Sequence, residues 1–102
     1  SDMYKGRAFG PENISTIFRS NGLLNSGSRL VGENQKHLKL GITDPSTGIV
    51  MDGIGFSMSH HLEKLSSGRE VSILYHLEKN VYRNKLSLQL RLLDLKYSDE
   101  PQ

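Results

Sequence analysis

An all-β fold with one short helix is predicted by three observations on the sequence. The chain of 102 residues contains 10 Gly and a single Ala, Ala8, a composition that argues against a helical bundle. Apolar residues recur at every second position in several segments, which is the period of half-buried strands. One stretch has apolar residues at helical spacing, and it is about two turns long. With 35% apolar residues at this length, we expect a single domain.

The two ends of the chain carry little pattern. Residues 1–3, Ser-Asp-Met, are typical of a cloning remnant ahead of a piece of a longer protein. Residues 4–14 have Gly and Pro without apolar periodicity, and we expect a linker or a strap that leads into the domain. The domain is predicted to span residues 15–97. Residues 98–102 form an acidic tail that we expect to fray.

The first strand of the domain is expected to be irregular. Gly residues and Asn-Gly punctuation interrupt the short apolar runs of residues 15–33. Glycines at such positions favour bends and bulges. We therefore predict one long bent strand, or two short strands with glycines at the bends.

A hairpin follows. Residues 37–43 alternate, with Leu38, Leu40 and Ile42 on one face, and residues 44–48 read Asp-Pro-Ser-Thr-Gly, a turn sequence. The returning strand is predicted at residues 49–56. Within it, the glycines at positions 53 and 55 leave one face bare, which permits close approach of another backbone or of a base.

The second half of the chain predicts the helix and two more strands. Ser57 is the expected N-cap of the helix, and Gly68 is its expected C-terminal stop. Between them, Met58, Leu62 and Leu65 follow helical spacing. Strands are predicted at residues 70–78 and 85–96, with a polar loop at 79–84. The Leu92-Leu93 doublet breaks the alternation of the last strand and predicts a β-bulge.

The order strand, strand, strand, helix, strand, strand is that of the five-stranded OB-fold Greek-key barrel. This fold binds oligonucleotides or oligosaccharides across its second and third strands and on the loops after its first and fourth strands. Alternation in each regular strand fits a closed barrel with one face inward. The sequence therefore predicts an OB-fold with connectivity β-β-β-α-β-β.

Catalytic and metal sites have no support in the sequence. There is no Cys, and His60 and His61 are adjacent, so on a helix they point about 100° apart and cannot share one ligand face. We interpret this pair as a solvated shoulder of the helix. No nucleophile motif, paired carboxylates or phosphate loop is present. The chain has no apolar run of membrane-spanning length, and we expect a cytoplasmic protein.

Charge is more informative by position than in total, since the net charge is only +2. Residues 79–96 hold five cations against one anion, Asp94. Cations that follow phosphates, with an aromatic ring for base stacking, are typical of a groove for single-stranded nucleic acid. The alternative is a solvated edge on a barrel that docks a protein and binds little DNA, which the acidic residues Glu33, Glu70 and Glu78 favour.

Several short motifs, taken in order, resemble the C-terminal OB domain of RecJ-type single-strand-specific DNA exonucleases. They are Phe9-Gly10-Pro11-Glu12-Asn13, Phe18, Val31-Gly32, His37-Leu38-Lys39-Leu40, Met51-Asp52-Gly53-Ile54-Gly55-Phe56, Leu77-Glu78-Lys79-Asn80, Leu88-Gln89-Leu90 and Asp94-Leu95. The resemblance runs from about Phe9 to Tyr97. It implies a single-stranded DNA-binding domain of a 5′–3′ exonuclease.

The same resemblance implies that catalysis lies elsewhere. In that family the nuclease core, which uses Mn²⁺ or Mg²⁺, is N-terminal to this domain and carries an Asp-His-His motif that His60-His61 does not match. The implied partners are single-stranded DNA and the catalytic domains of the parent protein. The DNA-contacting residues are predicted from residue type and position alone: Lys36, Lys39, Arg83, Lys85 and Arg91 for phosphates, His37 and Tyr82 for stacking, and Gln89 as a polar contact.

Overall fold

Strands make up most of the structure, a computed structural model that describes residues 16–101. The segments 1–3 and 4–14 lie outside the described residues. The strands are β1 (Phe18–Asn25), β2 (Arg29–Val31), β3 (His37–Asp44), β4 (Ile49–Gly55), β5 (Val71–Tyr82) and β6 (Lys85–Tyr97). The helical elements are α1 (Leu62–Ser66) and two 3-10 turns, Glu33–Gln35 and Ser59–His61.

The strands form a closed ring. Four neighbouring pairs, β1–β5, β5–β6, β4–β3 and β3–β1, are antiparallel. A parallel pair between β4 and β6 completes the circuit. The remaining strand, β2, continues the path of β1 and pairs with β3. The mostly β class with one short helix is thus confirmed, and the irregular first strand consists of two pieces.

The core fills the inside of this ring. Leu38, Leu40 and Ile42 are each at most 1% exposed, so the predicted inward face of β3 is correct. Alternate side chains of β5 and β6 point into the ring, and side chains of β1 and α1 fill the remaining space. The buried apolar side chains are Leu23, Leu38, Leu40, Ile42, Leu65, Val71, Ile73, Tyr75, Leu90, Leu92 and Leu95.

The ring closes at a glycine. A Cβ atom on Gly53 would lie 2.5 Å from the carbonyl oxygen of Leu90, far inside van der Waals contact. Gly53 and Leu90 are register partners in the parallel β4–β6 pair. The predicted close approach of another backbone is therefore present, and it is the contact through which β6 meets β4.

The predicted bulge lies at Leu93. The β5–β6 register steps from Leu74↔Asp94 to Tyr75↔Leu92, which leaves Leu93 without a partner on β5. Because of this extra residue, Leu92 and Leu95 both point inward, and each is at most 3% exposed.

The polar loop predicted at residues 79–84 is wrong. Strand β5 continues to Tyr82, which pairs with Lys85, and the connection is the two-residue turn Arg83-Asn84. Both turn residues have positive φ, 52° and 65°, as in the type I′ turns that suit the twist of a hairpin. Among the described residues, β1 pairs with β5 only as far as Tyr75, and β4 pairs with β6 from Leu90 onward. The hairpin therefore projects beyond the ring, and we call residues 77–89 the distal ribbon.

The helix differs from its prediction at the start. Ser57 is not an N-cap: it has φ 57°, and the 3-10 turn begins after Met58 without a side-chain cap. At the other end, Gly68 has φ 83° directly after the C-cap Ser67, as predicted for the stop. The histidine pair is only half solvated, since His60 is exposed whereas His61 is 8% exposed and lies 3.9 Å from the Asp94 carboxylate.

The acidic tail is bonded to the ring where we expected fraying. Ser98 Oγ accepts a hydrogen bond from Gly22 N–H at 3.0 Å, and its own N–H donates to the Glu70 carbonyl at 3.0 Å. Asp99 pairs with Arg69 at 2.7 Å, and Glu100 pairs with Lys64 at 3.2 Å. The carboxylates of the tail thus meet cations of the helix and of the segment that follows it.

Replacing Gly53 with Ala is expected to destabilise the protein. The added methyl group would press on the backbone of Leu90, and overpacking of this kind costs about 1–3 kcal/mol. Urea unfolding measures the change. Gly48→Asn is the control, because Gly48 has φ 76° and open space, and Asn tolerates that conformation. A Gly53→Ala protein as stable as the control would show that the close approach is not needed for closure.

His61 makes stability depend on pH. Burial, and then the neighbouring His60, hold the pKa of His61 below its ordinary 6.5, although Asp94 partly offsets them. The unfolded chain therefore takes up a proton at higher pH than the folded chain. This contribution to the unfolding free energy is complete above 6.5 and is lost as the pH falls toward the lowered folded-state pKa. Urea titrations at several pH values should show a shallower decline in His61→Gln than in the unsubstituted protein; equal declines would rule out this origin.

Candidate nucleic-acid interface

The outer surface of the ring carries a row of four side chains from four neighbouring strands. Lys39 pairs with Ile54, Ile54 with Arg91, and Arg91 with His76. Each lies between inward-facing residues of its own strand and therefore points outward. In this outer row, Lys39, Arg91 and His76 are cationic or polar, and Ile54 is the apolar member between Lys39 and Arg91.

Phe56 adds an aromatic ring beside the row. It follows the last residue of β4 and is 51% exposed. The ring of His37 meets it edge-on, with centroids 5.4 Å apart, and the guanidinium of Arg91 lies 5.6 Å from its centroid. His37 thus contacts the ring in an edge-on arrangement and Arg91 lies over the ring, while about half of the Phe56 side chain faces solvent.

His37 also holds the turn that carries Phe56. The backbone N–H of Ser57 donates a hydrogen bond to His37 Nδ1 at 2.9 Å. Because Nδ1 accepts this bond, the proton of the neutral ring is on Nε2. The other side of the ring is close to Gly32, where a Cβ atom would lie 2.7 Å from His37 Cδ2. The residue that we predicted as a stacking surface is thus placed to orient Phe56.

Arg91 has an exposed acidic partner. Its guanidinium lies 3.4 Å from Glu78 Oε2, and both side chains are close to half exposed. Exposed pairs of this kind contribute about 0–1 kcal/mol. Glu78 therefore lowers the positive charge at this point but does not bind Arg91 strongly.

The outer face of the distal ribbon continues the same surface. Register places Glu78 opposite Gln89, Asn80 opposite Ser87 and Tyr82 opposite Lys85. Tyr82 is 67% exposed, and the Arg83 guanidinium lies 5.1 Å from its ring centroid. Six residues separate Tyr82 from His76, which corresponds to about 20 Å along the strand.

The predicted residues therefore fall into two groups. His37 and Arg91 meet at Phe56, and Lys39 lies in the same outer row as Arg91. Lys36 is exposed next to His37, and Gln89 is the next outward-facing residue of β6. Tyr82, Arg83 and Lys85 lie at the tip of the ribbon. Phe56, Ile54 and His76 were missed by sequence reasoning. An apolar residue directly after the two glycines of β4, out of phase with the core, was the available signal for Phe56.

Within residues 16–101, no three His, Asp or Glu side chains gather in a way that could hold a metal ion. No helix in that range is long and apolar enough to cross a membrane.

The family model and the relatives that match this chain all carry the name RecJ. The family model described as the RecJ OB domain matches residues 2–94. The chain is 44% identical over 62 residues to the single-stranded-DNA-specific exonuclease RecJ of Dickeya dadantii (strain 3937), covering 61% of this chain and 10% of that protein. Proteins of the same name from Escherichia coli (strain K12) and Haemophilus influenzae (strain ATCC 51907 / DSM 11121 / KW20 / Rd) are 39% and 34% identical over 62 residues, or 61% of this chain and 10% and 11% of their own lengths. The chain thus spans about a tenth of the length of these relatives.

Removing the acceptor on His37 is expected to loosen the turn that carries Phe56. In His37→Ala the Ser57 N–H loses its partner, at a cost of about 1 kcal/mol, so its hydrogen exchange should accelerate by roughly fivefold. His37→Asn, which keeps an acceptor near the Nδ1 position, should restore much of the protection. Lys36→Ala is the control. Unchanged Ser57 exchange in His37→Ala would show that the bond does not order this turn.

Proposed function

Because the chain belongs to the RecJ OB domain family, we propose that it is the single-stranded DNA-binding domain of a RecJ-like 5′–3′ exonuclease. The observation that carries this proposal is the exposed ring of Phe56, flanked by His37 and Arg91 on the outer surface of the ring. A half-exposed aromatic ring beside cations is the arrangement on which unpaired bases stack.

The geometry favours single strands over duplex. A base can lie on Phe56 only when its own face is free, which is the case in a single strand but not inside a stacked duplex. Lys39 and Arg91 would then contact the phosphates on either side of the stacked base. Arg91 would exchange its weak pairing with Glu78 for a phosphate.

The outer face of the distal ribbon extends the proposed path. A strand that leaves Phe56 along β6 would pass the polar side chains of Gln89 and Ser87 and reach Lys85 and Tyr82. Tyr82, with Arg83 beside it, offers a second ring for stacking, about 20 Å along β5 from His76. The two groups of predicted residues would therefore serve one bound strand.

Cleavage is assigned to a different part of the longer protein. The 62 matched residues are only about a tenth of the length of the relatives that carry the name exonuclease. We propose that the Mn²⁺ or Mg²⁺ ions of such an enzyme act in that larger part, and that this domain holds the substrate strand for it.

A second candidate function is supported by a different observation. The inner face of the distal ribbon exposes aliphatic side chains, which are suited to a protein partner. A domain used only for docking would need this face and would not need Phe56.

Phe56→Ala should weaken binding of a fluorescently labelled single strand by about 1–3 kcal/mol, or roughly 5- to 150-fold in Kd. Anisotropy titration measures it. Tyr82→Ala should weaken binding in the same direction if the strand reaches the ribbon tip. Ile49→Ala is the matched control, because Ile49 is 57% exposed at the opposite end of β4.

The salt dependence checks the phosphate contacts in the same titration. Neutralising about 3 to 5 phosphates gives a slope of log K against log salt of about −2 to −3.5 for single strands, and Arg91→Gln should reduce it by about 0.7. Equal, weak binding of single strand and duplex, unaffected by Phe56→Ala, would favour the docking function instead.

A further inference from the structure

The inner face of the distal ribbon is apolar and exposed. The face that points into the core at Tyr75 and Leu92 continues outward through the register pairs Leu77↔Leu90, Lys79↔Leu88 and Val81↔Leu86. Leu90 is buried, but beyond it the ring no longer covers this face. The exposed fractions are 41% for Leu77, 67% for Val81, 64% for Leu86 and 64% for Leu88.

Such a surface is typical of an interface. Contiguous exposed apolar side chains that extend from a core mark contact sites for other macromolecules. The side chains here are aliphatic and offer no ring for a base to stack on, so the occupant they fit is protein. The aromatic rings of Phe56 and Tyr82 belong to the outer side of the molecule.

The strand edges at this place are also free within the described residues. Beyond Tyr75, β5 has no neighbour on its outer edge, and β6 has none before Leu90. Unpaired edges attract further strands, and natural proteins usually cover them. A partner that covers the inner face would also reach these edges.

The charge of the ribbon argues against a second copy as the occupant. Lys79 lies in the middle of the apolar face, Arg83 and Lys85 lie at its tip, and the sequence has no carboxylate between Glu78 and Asp94. Two copies packed through this face would bring these cations together. A complementary surface would pair apolar side chains with a carboxylate for Lys79.

The rest of a longer polypeptide is a better candidate than a second copy for the occupant of this face. The described chain begins beside the base of the ribbon, where His76 Nδ1 donates a hydrogen bond to the carbonyl of Thr16 at 2.9 Å. Thr16, the first described residue, therefore lies next to the distal ribbon. The 62 matched residues are only about a tenth of the length of the relatives, so in proteins of that kind a large body is available for this contact.

We propose that the inner face of the distal ribbon docks this domain onto the remainder of a RecJ-like exonuclease polypeptide. The contact buries Val81, Leu86 and Leu88 and places a carboxylate of the larger part opposite Lys79. This inference rests on the proposed membership in a longer exonuclease, and it does not depend on DNA binding at Phe56.

Photo-crosslinking in the full-length polypeptide that contains this domain tests the contact. The photoreactive residue p-benzoylphenylalanine is placed at Leu88, and at Ser87 as the control, because the two positions face opposite sides of the ribbon. We expect Leu88 to give an intramolecular crosslink to a peptide outside this domain, and Ser87 to give none. Crosslinks from Leu88 to a second copy or to added single-stranded DNA, or no crosslink at all, would overturn the proposal.

A double variant gives an independent measurement. Leu86→Ser with Leu88→Ser should leave the melting temperature and DNA affinity of the 102-residue domain nearly unchanged, because both side chains are exposed there. In the full-length protein the same changes should make the ribbon several-fold more sensitive to protease, whereas Asn80→Ser with Ser87→Ala on the outer face should not. Equal sensitivity of both double variants would contradict docking. If Phe56→Ala left the affinity for single-stranded DNA unchanged while the Leu88 crosslink still formed, DNA binding at Phe56 would be disproved and the docking contact would stand.

Discussion

The close approach of two backbones at Gly53 is the contact on which the rest of the structure depends. With no side chain at this position, the carbonyl of Leu90 comes near enough for β4 and β6 to pair in parallel. That pair closes the ring and brings Ile54 next to Arg91. Gly55 permits a second close approach two residues later, where a Cβ atom would lie 3.2 Å from Leu92 and from Met58. The outer row and the position of Phe56 therefore depend on glycine, which has no side chain, at positions 53 and 55.

The bulge at Leu93 decides which face of the hairpin is polar. Side chains alternate along a strand, so a shift of one residue exchanges the two faces. The alternation from Leu86 to Leu92 and the inward position of Leu95 are out of phase, and the unpaired Leu93 reconciles them. As a result Arg91 and Gln89 face outward together with Lys39, and the leucines of the ribbon continue the core face. One inserted residue thus sets the chemistry of both surfaces.

The spacing of apolar residues in the sequence predicted those features of the fold that depend on residues close together in the chain. Alternation correctly located the inward face of β3, and the Leu92-Leu93 doublet located the bulge. The ribbon was missed because its turn, Arg83-Asn84, has no glycine and its strands are solvated on both faces, so polar residues there resemble a loop. Phe56 and the role of His37 depend on a hydrogen bond between residues 20 positions apart. No spacing rule reveals such a contact, because it arises only when β3 and the end of β4 are paired.

Because the hairpin has two faces, one small domain can bind two partners without competition between them. Residues opposite each other in the register share a face, so Tyr82 with Lys85 and Val81 with Leu86 necessarily point to opposite sides. A body packed on the aliphatic side leaves the outer row open and fixes the direction in which the ribbon projects. The ribbon lacks support from the ring beyond Leu90, so such packing would also restrict its motion relative to Phe56. Docking on one face would then determine the path of a DNA strand on the other, because both surfaces are built from the same pair of strands.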